Sequence, residues 1–231
     1  MQQVDREPIT FGQLLDLPGV EEELTIRSTF GFCAFHGGNL ERRTEIIARE
    51  AAERSGASYY GVLQPKGVRR HIPSKFVSPS ESAKLAEFID HCDVVVAIHG
   101  YGLRGRWIDL LFGGGNRPLA SHMAHHVRHS ATPYRGVDDL DQIPPRLRGV
   151  HPDNPANLPR RGGVQIELPP RIRGLTPMAL YWPGHDYQTQ QFPHIEWLIE
   201  GLAEGALAWE TEQLQIPSGQ TPGSSPSHST R

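Results

Sequence analysis

Three polar residues stand at the carboxyl ends of apolar, strand-like segments of this 231-residue chain. His36 follows the run TFGFCAF, His99 follows DVVVAI, and Glu167 lies in GVQIEL just before a Pro-Pro pair. In open parallel α/β sheets, ligands bind outside the carboxyl ends of the strands. We therefore expect these three side chains to meet at one edge of a sheet. Imidazole and carboxylate groups in that arrangement favour a metal site.

A fourth residue, Glu41, lies five positions after His36. On one continuous helix that spacing would turn the two side chains about 140° apart. They converge only if His36 ends a strand and Glu41 lies in the first turn of the following helix, with Gly37 and Gly38 forming the turn between them. Two histidines and a glutamate are a ligand set of open catalytic zinc sites. The alternative is that the histidines are hydrogen-bonded strand-end residues and that Glu41 complements a helix N-terminus.

Glu167 has a different position in the pattern. In an extended strand Gln165 and Glu167 point to one face, whereas Val164, Ile166 and Leu168 point to the other. A carboxylate in so apolar a strand loses hydration, which raises its pKa and suits it to act as a general base. The alternative is a buried carboxylate paired with a nearby arginine. The arginine candidates are Arg160, Arg161 and Arg171.

These residues must be positioned by alternating strands and helices. Apolar runs predict strands at 29–35, 58–63, 93–98 and 163–168. Helical spacing predicts helices at 40–55, 80–91, 119–129 and 195–209. The alternation is typical of a three-layer α/β fold, in which helices flank a mixed, mostly parallel sheet. We expect one catalytic domain over residues 1–215 and a disordered tail over residues 216–231, which are rich in Ser, Pro and Gly.

Composition narrows the functional classes. The 23 basic and 26 acidic side chains give a net charge of −3, which excludes the strongly basic surface of a general nucleic-acid binder. No apolar run approaches the roughly 20 residues of a membrane span, and the first residues lack a signal-peptide pattern. Cys33 and Cys92 lie in apolar contexts and form no CxxC pair, so we expect buried thiols. A cytoplasmic protein that binds neither nucleic acid nor membrane is expected.

Four blocks of the sequence follow the order of a known family's motifs. Residues 36–41 and 44–48, HGGNLE and TEIIA, are similar to that family's HGGxIE…T…IA segment. Residues 70–76, RHIPSKF, resemble its LHITSxxF stretch, and residues 96–100, VAIHG, resemble its SIHG strand end. Residues 157–173, NLPRRGGVQIELPPRIR, resemble its NRxxGGVQLELSxxLR block. On these blocks the chain resembles the poly-γ-glutamate hydrolase family, which is related to zinc carboxypeptidases.

The resemblance implies a zinc-carboxypeptidase-like α/β fold and a zinc-dependent hydrolase that cleaves the γ-glutamyl amide bonds of poly-γ-glutamate. It implies His36, Glu41 and His99 as zinc ligands and Glu167 as the catalytic base. Two other functions stay open: a zinc amidohydrolase acting on another peptide or an acylated amino acid, and a non-catalytic binding module that keeps the fold. The chain departs from the family pattern at three prolines, namely Pro73, Pro159 and Pro169.

Basic side chains near the predicted site are candidates for binding substrate carboxylates. A proline-rich loop over residues 137–161 precedes Glu167 and is long enough to be functional. The candidates lie in this loop or close to the implied ligands, and they are His71, Arg104, Arg160 and Arg161. The alternatives are surface arginines and, for His71, a structural hydrogen bond.

Four further histidines fall on one face of the predicted helix 119–129, at spacings i, i+3, i+4 and i+7. They are His122, His125, His126 and His129. Four imidazoles could bind a second metal, but no carboxylate or cysteine joins them on that helix. A solvated polar face or an oligomer contact is the simpler interpretation. The sequence leaves the oligomeric state open.

Overall fold

A computed structural model describes residues 8–131, 134–175 and 193–215. The tail predicted for residues 216–231 lies outside these described residues. Within them, no helix combines the length and the apolar character that crossing a membrane requires. In chain order, the helices and strands are α1 (Phe11–Leu15), β1 (Glu21–Thr25), β2 (Phe30–Gly38), α2 (Thr44–Ser55), β3 (Ser58–Gln64), α3 (Ala83–His91), β4 (Val94–Gly100), β5 (Asp109–Phe112), α4 (Arg117–Ser130), β6 (Arg135–Val137), β7 (Gly163–Leu168) and α5 (Pro193–Gln215).

The strands form one seven-stranded mixed sheet in the order β1-β3-β2-β4-β7-β5-β6. The four central strands β3, β2, β4 and β7 are parallel, so their carboxyl ends lie at the same edge. β1 pairs antiparallel with β3, and β5 pairs antiparallel with β7. The predicted mixed, mostly parallel sheet is confirmed.

Helices cover both faces of the sheet, as the predicted three-layer fold requires. On one face α2, α4 and α5 pack through apolar residues such as Ile47, Met123 and Leu202. On the other face α1 and α3 pack through residues such as Leu14 and Phe88. The alternating side chains of β4 divide between these two cores, which explains why this strand is a continuous apolar run in the sequence. β7 gives Val164, Ile166 and Leu168 to the first core, whereas Gln165 and Glu167 on its other face line a pocket.

The four predicted strands are all present, and β7 covers the predicted residues. Three further strands, β1, β5 and β6, were not predicted, because each is only three to five residues long. The second predicted helix begins later than expected, since Ser82 rather than Ser80 caps α3 by accepting a hydrogen bond from the Leu85 N–H. The loop 137–161 contains three short 3-10 turns. Cys33 and Cys92 are free and buried, as predicted.

Candidate active site

Three of the predicted site residues lie together at the carboxyl edge of the parallel strands. His99 near the end of β4 is the direct register partner of Glu167 near the end of β7. His36 lies near the end of β2, the neighbour of β4 on its other side. All three side chains are at least 96% buried. The expectation that three strand ends deliver these groups to one place therefore agrees with the strand order.

A β-bulge in β2 turns His36 toward His99. The register of β2 against β3 shifts between Ala34 and Gly37, where β2 has one more residue than its partner. Such an extra residue re-aims the side chains beside it. Phe35 and His36 consequently both approach His99, with ring centroids 6.0 Å and 5.0 Å from its imidazole.

Glu41 reaches the same place from a turn and not from a helix. The expectation that it lies in the first turn of α2 is wrong, because α2 begins only at Thr44. The Glu41 N–H donates to the His36 carbonyl oxygen at 2.8 Å, and the Glu41 carbonyl accepts from the Thr44 hydroxyl at 2.8 Å. Gly38 has φ +67° and a Cβ there would lie 2.4 Å from the Gln64 carbonyl oxygen, so this reversal of the chain requires glycine.

The Glu41 carboxylate lies between the two histidines. Its Oε1 is 3.0 Å from His36 Nδ1, and its Oε2 is 3.4 Å from His99 Nδ1. The Gly100 N–H also donates to Oε2 at 2.9 Å. We refer to His36, Glu41, His71, His99 and Glu167 as the site cluster.

The hydrogen bond of His36 Nε2 fixes the protonation state of the other ring nitrogen, Nδ1. His36 Nε2 lies 2.8 Å from the Ile72 carbonyl oxygen, which accepts hydrogen bonds only, so this nitrogen carries a proton. In the neutral ring the Nδ1 lone pair then faces a carboxylate oxygen. Two electron-rich atoms at 3.0 Å require a cation, either a proton or a metal ion. A backbone carbonyl that orients the far nitrogen is the usual outer partner of a metal-bound histidine.

Charge within the cluster shifts the pKa of both members of this pair. Burial alone would lower the pKa of His36, but the adjacent Glu41 carboxylate outweighs burial and raises it. Burial alone would raise the pKa of Glu41, but the charge and hydrogen bond of His36, together with His99, hold it well below its usual range. The Glu41 carboxylate is therefore ionised at neutral pH and available as a ligand.

The pKa of Glu167 is shifted in the opposite direction to that of Glu41. Burial, reinforced by the charge of Glu41, raises the pKa of Glu167 to about 7, against the opposing influence of the histidines. The Gln165 side-chain amide donates to Glu167 Oε1 at 2.8 Å, and the Asn154 amide donates to Gln165 Oε1 at 2.7 Å. This chain of hydrogen bonds holds Glu167 in one orientation. A buried carboxylate with a pKa near neutrality is suited to accept and release a proton.

His71, predicted as a substrate contact, also lies in the cluster. Its ring centroid is 4.8 Å from that of His36. One possible ligand atom each from His36, Glu41 and His71 lies within 4.8 Å of the other two. Burial and the charge of His36 lower the pKa of His71, so this imidazole stays neutral and retains a lone pair. His71 is thus a second candidate, beside His99, for the histidine that completes a metal site.

The cluster forms the floor of an open pocket of about 820 Å³. One wall comes from the segment that contains His71 and Lys75, and another comes from residues 145–151 and Asn154 of the long loop. The residues after β4, including Tyr101, complete the lining. A pocket of this size accommodates a short stretch of an extended chain.

The predicted substrate arginines are not brought to this pocket. Arg160 donates to the Asp93 carboxylate at 2.7 Å, just before the amino end of β4. Arg161 donates to Gln213 and lies 5.6 Å from the Trp209 ring centroid. Both therefore contact groups at or near the opposite edge of the sheet from Glu167. Arg104 is exposed and does not line the pocket, although its neighbour Leu103 does.

Arg173 was missed from the sequence. Its buried guanidinium lies against Gly100 and donates to the carbonyl oxygens of Arg42 at 3.1 Å and Tyr101 at 3.5 Å. It therefore joins the turn of Glu41 to the end of β4. Burial lowers the pKa of Arg173, and the charges of Glu41 and Glu167 act against this change. Its position as the last residue of the motif block 157–173 was the available signal.

Comparisons with known proteins agree with this fold. The family model for poly-gamma-glutamate hydrolase matches residues 16–192. The structure of a bacteriophage poly-gamma-glutamate hydrolase is similar, with 19% identity, a TM-score of 0.70, and coverage of 88% of this chain and 95% of that chain. A zinc-free form of YndL is also similar, with 19% identity, a TM-score of 0.63, and coverage of 85% and 91%. None of the curated proteins compared with the chain matches it. Because the family model matches most of its length, the chain belongs to the poly-gamma-glutamate hydrolase family and is a hydrolase.

Proposed function

We propose that the protein is a zinc-dependent hydrolase that cleaves the γ-glutamyl amide bonds of poly-γ-glutamate. The family supports the substrate, and the bacteriophage relative is itself a poly-gamma-glutamate hydrolase. The relative YndL has a zinc-free form, which supports zinc as the metal. The observation that carries the proposal is the 3.0 Å contact between His36 Nδ1 and the ionised Glu41 carboxylate, which requires a cation between the two atoms.

The proposed zinc ligands are His36, Glu41 and His99. The donor set fits zinc, because two imidazoles and a carboxylate leave a coordination position open. His99 has one nitrogen directed toward Glu41, and its Nε2 is buried without a hydrogen-bond partner in the described part of the chain. When bound, zinc supplies a Lewis acid that polarises an amide carbonyl and acidifies water.

The side chains of the cluster supply the proton transfers. Glu167 accepts a proton from the attacking water, and the same carboxyl group then gives it to the leaving amide nitrogen. Its pKa of about 7 allows both steps near neutral pH. Gln165 and Asn154 keep Glu167 oriented, and His71 contacts the substrate from the wall of the pocket.

The proposal is tested by elemental analysis of the purified protein and by its action on γ-linked polyglutamate. We expect one zinc per chain and the release of new amino termini, with no release after chelation. α-Linked polyglutamate, a cell-wall peptide and an acylated amino acid serve as competing substrates. Preference for one of these would replace the proposed substrate, and tight binding of the polymer without cleavage would indicate a binding module.

A further inference from the structure

We propose that Lys75 and Arg146 form a pair of carboxylate-binding sites that flank the scissile amide. This inference rests on the proposed function and deepens it, because it names the groups that select an anionic polymer. Among the described residues, and apart from histidines and the carboxylates of the site cluster, the charged side chains that line the pocket are Lys75 and Arg146. Both are cations, whereas the whole chain has a net charge of −3. The cations therefore lie on the walls of the pocket, apart from the Glu41 and Glu167 carboxylates on its floor.

Lys75 lies in the pocket wall that is hydrogen-bonded to His36 of β2. The Ile72 carbonyl oxygen accepts the hydrogen bond of His36 Nε2, which ties this wall to the site cluster. Pro73 follows, and Lys75 lies in the short 3-10 turn Ser74–Phe76. Its Nζ lies 4.9 Å from the Phe76 ring centroid. This cation–π contact positions the ammonium group and does not neutralise its charge.

Arg146 is held by the wall that attaches to β7. It lies in the 3-10 turn Pro145–Leu147, which follows a second proline. Further along this wall, the Gly149 carbonyl oxygen accepts from the Asn154 amide at 3.1 Å, and Asn154 also binds Gln165. Among the described residues no acidic side chain pairs with Arg146. The Arg146 guanidinium is exposed and lies on a short turn next to prolines. Because no carboxylate is paired with it in the described part of the chain, it is available to bind a ligand.

The two cations stand on opposite sides of the site cluster. In the sheet order, β2 and β7 are the neighbours of β4 on either side, so the two walls flank His99. Every residue of a γ-linked glutamate chain retains a free α-carboxylate, and these groups occur on both sides of any scissile amide. A chain lying across the pocket therefore offers one carboxylate to the Lys75 wall and another to the Arg146 wall. A neutral peptide gains nothing from this arrangement.

The experiment compares a γ-linked glutamate oligomer with the same oligomer whose α-carboxylates are converted to amides. The variants are Lys75→Gln, Arg146→Gln and the double variant. For the acidic oligomer we expect KM to rise about threefold to tenfold for each substitution, with kcat and zinc content nearly unchanged. The same substitutions should leave KM for the amidated oligomer unchanged. Lys66→Gln and Arg69→Gln remove the same charges from exposed residues outside the pocket and should behave as wild type.

Equal KM values for Lys75→Gln, Arg146→Gln and the two control variants would overturn the inference, as would equal increases in KM for both oligomers. These results leave the proposed function intact if the wild type still cleaves the acidic oligomer. If the wild type cleaves neither oligomer, the proposed function fails. Binding of the acidic oligomer, measured by calorimetry, then tests the inference separately. Loss of binding in the double variant, with binding retained in the two control variants, supports the inference. Unchanged binding in the double variant overturns it.

Discussion

The histidines of the site cluster and those of α4 are equally close to one another, yet their surroundings differ. The ring centroids of His36 and His99 are 5.0 Å apart, and those of His122 and His126 are 4.7 Å apart. The first pair is almost fully buried and has the Glu41 carboxylate between its rings. The α4 histidines, by contrast, are half-buried or exposed along the helix surface.

Acidic neighbours of the α4 histidines are distant and solvated. His122 Nδ1 lies 3.8 Å from a Glu212 carboxylate oxygen, and that side chain is 60% exposed. The other ring nitrogen of His122 bonds to the Gly205 carbonyl oxygen at 2.9 Å. Within the described residues, the group whose ligand atoms lie within 4.8 Å of one another is His36, Glu41 and His71, which includes neither the α4 histidines nor His99. Two imidazoles close together are therefore not enough for a metal site, and neither is a backbone carbonyl bound to one ring nitrogen, since His36 and His122 share both features. The buried carboxylate of Glu41 distinguishes the site cluster.

The largest expected effect comes from replacing histidines of the site cluster, and the same replacements on α4 test whether the two groups differ. His36→Ala and His99→Ala should each lose zinc and turnover, while circular dichroism shows a retained fold. His122→Ala and His126→Ala should keep one zinc per chain and wild-type activity. The measurement is zinc stoichiometry after exhaustive dialysis.

The same analysis decides between the two candidate histidines of the cluster. His71→Ala should keep zinc and raise KM. If His71→Ala lost zinc and His99→Ala kept it, the ligands would be His36, Glu41 and His71.

The next largest expected effect distinguishes the role of the Glu41 carboxylate from that of the Glu167 carboxylate. Glu41→Gln should weaken zinc binding, because an amide is a poor zinc ligand and lacks the balancing charge. Glu167→Gln should keep zinc but lower kcat about 10²–10⁴-fold, because an amide cannot accept the proton of water. KM should change little. Zinc stoichiometry and kcat on γ-linked polyglutamate are measured side by side, and the reverse pattern would exchange the two roles.

The parts of the fold and site that depend on neighbouring residues were predictable from the sequence. β7 is recognisable because Val164, Ile166 and Leu168 alternate with Gln165 and Glu167, and this alternation also placed Gln165 beside Glu167. The strand-end positions of His36 and His99 follow from apolar runs that stop at glycine.

Features set by distant partners were not predictable. Arg160 precedes Glu167 by seven residues, yet it pairs with Asp93, which is 67 positions away and near the other edge of the sheet. The bulge that turns His36 exists only as a register difference against β3. Glu41 required the same kind of information, since Gly38 closes its turn against Gln64.

A smaller effect is expected from the arginine that supports the site cluster. Arg173 donates to the carbonyl oxygen of Arg42, which follows Glu41, and to that of Tyr101, two residues after His99, so Arg173→Lys should loosen the ligands without removing them. Loss of such an outer contact lowers metal affinity about 10–100-fold. Arg128→Lys is the matched control, because Arg128 on α4 also donates to a carbonyl oxygen, that of Gly136, at 2.9 Å. Competition with a zinc chelator measures both, and equal affinities would show that Arg173 has no positioning role.

The smallest expected effect concerns the pH response of the α4 histidines. Burial, and then the charges of His122 and His125, lower the pKa of His126 from its ordinary value of 6.5, while Glu204 and Glu212 oppose this. The unfolded chain therefore binds more protons than the folded protein as the pH falls through 6.5, and stability is lost there. His126→Gln should reduce the loss of Tm between pH 7.5 and pH 5.5 by at most about 2 °C, since solvent screens this partly exposed group. His129→Gln on the same helix is the control, and both variants retain the site cluster, so its titration cancels in the comparison. A steeper loss of Tm in His126→Gln would show that the two glutamates of α5 dominate this face.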